Sequence, residues 1–179
     1  MELDGAPWRE LPVAVVARVG LVQGLALDRA TLRLLRRELR RAEALSVAMH
    51  ALRARDLPRH RLAERLERAA VAPAAVETSL AALSAAGLVD DGRFAAIRAA
   101  GLAGRGYGDA AIRYDLEGQG VAPALVDAAL TGLEAESARA RRLVEARGRG
   151  PRTARYLASK GFGEDALEAA LGADFANDP

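Results

Sequence analysis

From Asp28 onward, apolar residues recur every three or four positions, the spacing of helices that bury one face. Leu32, Leu35 and Leu39 fall on one side of the first such segment. Arg29, Arg33, Arg36, Arg37, Arg40 and Arg41 gather on the other, within an arc of about 140° at 100° per residue. Asp28 stands where an N-cap is needed. Ala44, Leu45, Val47, Ala48, Ala51 and Leu52 continue as an apolar helix, which Pro58 is expected to end. The first 28 residues follow another pattern. Trp8, Leu11, Val13, Val15, Val16, Val19, Leu21 and Val22 are bulky or β-branched, and Pro7, Pro12, Gly20 and Gly24 interrupt them. That mixture predicts a short irregular N-terminal arm with one or two short strands.

The helical pattern repeats itself. Residues 62–80 (LAERLERAAVAPAAVETSL), 112–130 (IRYDLEGQGVAPALVDAAL) and 153–171 (TARYLASKGFGEDALEAAL) align when Leu66, Leu116 and Leu157 are set in register. Val71, Val121 and Phe162 then correspond, as do Val76, Val126 and Leu167, and Leu80, Leu130 and Leu171. Each copy reads as helix, tight turn, helix. Gly120 and Gly161 fall at the turn, where a left-handed conformation suits glycine. Pro73 and Pro123 fit the first turn of the helix that follows. One more helix precedes each pair, at roughly 43–56, 91–103 and 135–147, so the unit is three helices. Spacings of 50 and 41 residues between the anchor leucines exceed the ~34 of a two-helix tetratricopeptide unit. The predicted fold is therefore all-α: three tandem three-helix repeats forming an elongated, curved, solenoid-like chain behind a short arm. The expected divisions are an arm at 1–28, a basic lead-in helix at 29–42, repeats at 43–88, 89–133 and 134–173, and an acidic tail at 174–179.

Composition narrows the chemistry. The absence of cysteine excludes disulfides, thiolate metal sites and a cysteine nucleophile. Two histidines, His50 and His60, cannot form a three-histidine metal site, and nothing sets a carboxylate and nucleophile around them. No Walker loop, Ser/His/Asp order or HExxH is present, so neither an enzyme, a metal nor a cofactor is expected. No apolar run approaches the ~20 residues of a membrane span, and the start (Glu2, Asp4) lacks the features of a secretory leader; a cytoplasmic protein is expected. Of 26 basic residues, 25 are Arg and only Lys160 is Lys.

The net charge of +2 conceals zoning. Residues 29–68 hold 12 Arg against 5 acids, a local +7; residues 132–160 hold 8 bases against 3 acids, a local +5; residues 161–179 hold 5 acids and no base. Such zones suit an acidic protein surface or nucleic acid. Candidate contacts are Arg33, Arg37, Arg40 and Arg41 in the first zone, and Arg139, Arg142, Arg149, Arg152 and Arg155 in the second. Solvated helix faces would look the same, which leaves a passive helical scaffold and a phosphate-binding helical protein as alternatives.

Two local motifs carry weaker signals. In residues 87–95 (GLVDDGRFA), Asp90 or Asp91 reads as a helix cap rather than a metal ligand, and Phe94 as a core anchor. Residues 104–108 (GRGYG) resemble a phosphate loop only superficially; with helices on both sides they read as a flexible linker.

Three segments taken together, GLVDDGRFA (87–95), GYGDAAIRYDLEGQGV (106–121) and RYLASKGF (155–162), resemble the RecX family of regulatory proteins, in family order. The resemblance covers about residues 40–173 and leaves 1–28 outside. It implies three three-helix modules and a mostly monomeric modulator of the recombinase RecA. Such a protein lies on the RecA–single-stranded-DNA filament and lowers filament growth, strand exchange, ATPase and coprotease output without catalysis of its own. Leu66, Leu116, Leu157, Phe94 and Phe162 are the expected structural anchors.

Overall fold

The computed structural model describes residues 1–3 and 5–172; the acidic tail expected at 174–179 lies outside them. The chain divides into two compact units, Met1–Val89 and Asp90–Pro179.

In the first unit the arm holds two short strands, the upper end of the expected one or two; β1 (Glu2–Leu3) and β2 (Ala6–Pro7) pair antiparallel. The valine run beyond them is not strand. Val13–Val19 forms a helix, α1. Pro12 supplies the extended backbone before the helix, and Gly20, at φ 70°, closes it. Tertiary packing overrides the β preference of valine, because Val15 buries against Leu35 and Leu39 of the next helix.

That helix, α2 (Arg29–Ala54), corrects the division at residue 42. With neither Gly nor Pro between Arg29 and Ala54, nothing stops it, and the basic lead-in and the first helix of the repeat are one element. What changes along it is the core it serves. Its first half packs on α1, and its second half joins α3 (Arg59–Arg68) and α4 (Pro73–Ala85) through Ala48, Ala51, Leu62, Leu66, Val76 and Leu80. It stops at Ala54, ahead of Pro58. At the other end the Asp28 carboxylate accepts the Thr31 N–H at 2.7 Å, the expected cap, and this bond holds the Asp28 carboxyl below its ordinary range.

The second unit contains two helix triplets. The first is α5 (Asp91–Gly104), α6 (Asp109–Gly118) and α7 (Pro123–Thr131); the second is α8 (Glu136–Arg147), α9 (Pro151–Ser159) and α10 (Glu164–Leu171). Asp90 caps α5 by accepting the Arg93 N–H at 2.9 Å.

The repeat register holds. Leu66, Leu116 and Leu157 are each 0% exposed, one at the centre of each triplet's core. Burial of such a leucine contributes about 1.5–3 kcal/mol. Phe162 is buried and Phe94 half-buried against its triplet's core. The turn after each anchor helix is the same object three times. Val71, Val121 and Phe162 donate their N–H back to Leu66, Leu116 and Leu157, at 3.1, 3.2 and 3.2 Å. The residue before the donor is left-handed in every copy: Ala70 (φ 56°), Gly120 (79°) and Gly161 (82°).

Candidate binding surface

Leucine geometry sets the first arginine stripe. With Leu35 and Leu39 buried against α1, the opposite side of α2 must face outward, and Arg33, Arg37 and Arg40 are exposed there with Arg29 and Arg36. Arg37 Nε approaches Glu38 at 3.6 Å, and Arg40 Nε donates to the Arg36 carbonyl at 3.2 Å. Arg41 differs. It is half-buried at the edge of the stripe, its Nε enclosed without a hydrogen-bond partner.

The second cluster separates into two kinds of arginine. Arg139 is not available to a partner: it is 4% exposed. Its Nε donates to the Glu134 carbonyl at 3.0 Å and its Nη1 to the Tyr107 carbonyl at 2.8 Å. It also pairs with Asp109, and its guanidinium stands 5.8 Å from the Phe162 ring centroid. This arginine belongs to the interior, because a buried guanidinium is tolerated only when its donors are satisfied. Arg142 is exposed but pairs with Glu134. Arg149, Arg152 and Arg155 are exposed and form no ion pair among the described residues.

Arg139 is one pin of a joint between the two triplets of this unit. Glu136, on α8, accepts the N–H of Asp109 at 2.6 Å and that of Gly163 at 3.3 Å, so one carboxylate serves the starts of α6 and α10. Between these pins the backbones bond directly: Gly108 N–H to the Lys160 carbonyl at 2.9 Å and Ala110 N–H to the Gly161 carbonyl at 3.1 Å. Residues 104–108 are therefore not a flexible linker. Gly108 is buried, and a Cβ there would lie 2.2 Å from the Gly161 carbonyl oxygen. Glycine is needed because another backbone occupies the space.

Two cations escaped the sequence reading. Arg147 Cζ stands 3.8 Å from the Tyr156 ring centroid; Lys160 Nζ lies 4.2 Å from that of Tyr107 and 5.8 Å from that of Tyr156. The available signal was the complete absence of acids from residues 146–163. His50 is exposed, and His60 sits 3.3 Å from Glu64 on the same helix. Among the described residues no group of three or more His, Cys, Asp or Glu could hold a metal ion, and no helix is long and apolar enough to cross a membrane.

Helix triplets that share one buried leucine register and one left-handed turn define a class: an all-helical repeat protein, with exposed arginines on its outer faces. Comparison with known proteins says what the chain is similar to. Residues 90–130 match the RecX second three-helix domain. A crystal structure of regulatory protein RecX superposes with a TM-score of 0.80 at 22% identity, covering 94% of this chain and 91% of that one. RecX from Lactobacillus salivarius superposes with a TM-score of 0.66 at 14% identity, covering 74% and 94%. No curated sequence matches the chain. The resemblance carried by the three motifs is thereby shown, in the matched domain and in the fold.

Proposed function

We propose that this chain is a cytoplasmic, monomeric, non-catalytic regulator that binds RecA and its single-stranded-DNA filament. It restrains filament growth and lowers strand exchange, ATPase and coprotease output, and so acts in recombinational repair and the SOS response. The observation that carries this reading is the match of residues 90–130 to the RecX second three-helix domain. The basic faces support it. Arg33, Arg37 and Arg40 in one unit and Arg149, Arg152 and Arg155 in the other are exposed side chains whose planar forks suit carboxylate or phosphate. Several modules on one chain can engage neighbouring subunits of a polymer, and linked contacts gain effective concentration. Binding measured in parallel to RecA–DNA filaments, to naked single strands and to RecA alone tests the reading. Preference for the filament is expected. Equal affinity for naked strands would make this a plain nucleic-acid-binding protein, and binding to none of the three would make it a scaffold.

A further inference from the structure

In the second unit four cations outside residues 146–163 are neutralised by carboxylates, while Arg105 and Arg141 make no ion pair among the described residues. Arg98 pairs with Asp115, Arg113 with Asp127, Arg139 with Asp109 and Arg142 with Glu134. Residues 146–163 contain five bases, Arg147, Arg149, Arg152, Arg155 and Lys160, and no acid. None of the five makes an ion pair among the described residues. A surface selected only for solubility would intersperse the two signs, as the rest of this unit does.

Two of these cations are held in place without being neutralised. Arg147 lies on Tyr156, and Lys160 lies on Tyr107 with Tyr156 farther off. An aromatic face orients a cation while leaving its full charge for an external anion, whereas a carboxylate would cancel it. Tyr107 belongs to the first triplet of the unit and the other partners to the second. The Gly108–Gly161 backbone contact and the Arg139 and Glu136 pins fix the two sides of the joint together. Arg147 and Lys160 are therefore preorganised, Lys160 across the joint.

We propose that Arg147 and Lys160, seated on Tyr156 and Tyr107, together with the exposed Arg149, Arg152 and Arg155 of the same acid-free segment, form a contact for the phosphate backbone of a single nucleic-acid strand. A strand presents phosphates at short, regular intervals and bases that tolerate aromatic neighbours, which matches cations interleaved with rings. This deepens the reading given under Proposed function and rests on it only for the filament as the source of the strand.

The test measures binding of the full chain to a fluorescent oligothymidylate, without RecA, across a salt titration, beside RecA ATPase inhibition and a thermal melt. Loss of two phosphate contacts should make the slope of log affinity against log salt smaller by about 1.4 in R147Q/K160Q, at about 0.7 per phosphate on single strands. The melt should be unchanged. Lys160→Arg, which keeps a cation at the rings, should restore half of the lost slope when it replaces K160Q. An unchanged slope in the folded double variant overturns the assignment. So does a double variant whose only loss is affinity for polyglutamate, since the surface would then serve an acidic protein. Wild-type chain that inhibits RecA while the oligonucleotide slope ignores both residues defeats this inference alone. Oligonucleotide binding with the predicted slope change but no effect on RecA defeats only the RecA reading.

Discussion

At the scale of single residues, the three repeated turns offer an internal comparison. Ala70 occupies a left-handed position that Gly120 and Gly161 fill in the other copies. An L-residue held there costs about 1 kcal/mol relative to glycine. Ala70→Gly should therefore raise stability by about that amount in urea denaturation, and Gly120→Ala should lower it similarly. A pair of glycines makes the opposite point about Cβ atoms. At Gly108 a Cβ would meet the Gly161 backbone, so Gly108→Ala should cost about 1–3 kcal/mol and expose the Ala110 amide to hydrogen exchange. At Gly101, within α5, nothing lies within 4 Å of the added carbon, so Gly101→Ala should stabilise by about 0.5–1 kcal/mol. Equal effects of the two substitutions would mean that the joint is not closely packed. The roles of Gly108 and Arg139 were invisible in the sequence for one reason: the backbone that crowds Gly108, and Tyr107 and Asp109 that help satisfy Arg139, lie tens of positions away. Arg139 and Arg149 read alike as charged residues in a basic zone, and only Asp109, Tyr107 and Glu134 separate the interior one from the exposed one.

At the scale of elements, what was legible is what local chemistry determines. The leucine register placed Leu66, Leu116 and Leu157 in equivalent cores, and truncation of any of them to Ala should cost about 2–5 kcal/mol. Asp28, Asp90, Pro73 and Pro123 marked helix starts because each acts on its own neighbours. The helix α1 was not legible, since valine-rich sequence favours strand until Leu35 and Leu39 provide a surface for Val15. On α2 the leucine side holds the helix to the body and the arginine side is free of that duty. The triple variant R33Q/R37Q/R40Q should keep its circular dichroism melt, because Gln is nearly as good a helix former, and should inhibit RecA markedly less. Full inhibition would reduce the stripe to a solvated face; a collapsed melt would mean that its buried side had been misassigned. Arg41 is left out of this variant because its half-buried side chain couples charge to packing.

At the scale of the whole molecule, a chain of repeated helix triplets suits the proposed partner, a polymer of repeating subunits. Residues 87–162 carry the motifs that resemble the RecX family, and part of their meaning is structural. The Gly-Tyr-Gly of 106–108 and the Lys-Gly-Phe of 160–162 are the two sides of one joint. If basic contacts supply much of the attraction, inhibition should weaken as salt rises. The measurement that tests the central claim most directly is RecA ATPase on single-stranded DNA, titrated with the full chain before and after filament assembly. The account predicts that hydrolysis falls in both orders of addition, and further when the chain is present as filaments grow. Unchanged hydrolysis in both, at concentrations that saturate any binding to the strand, would contradict it.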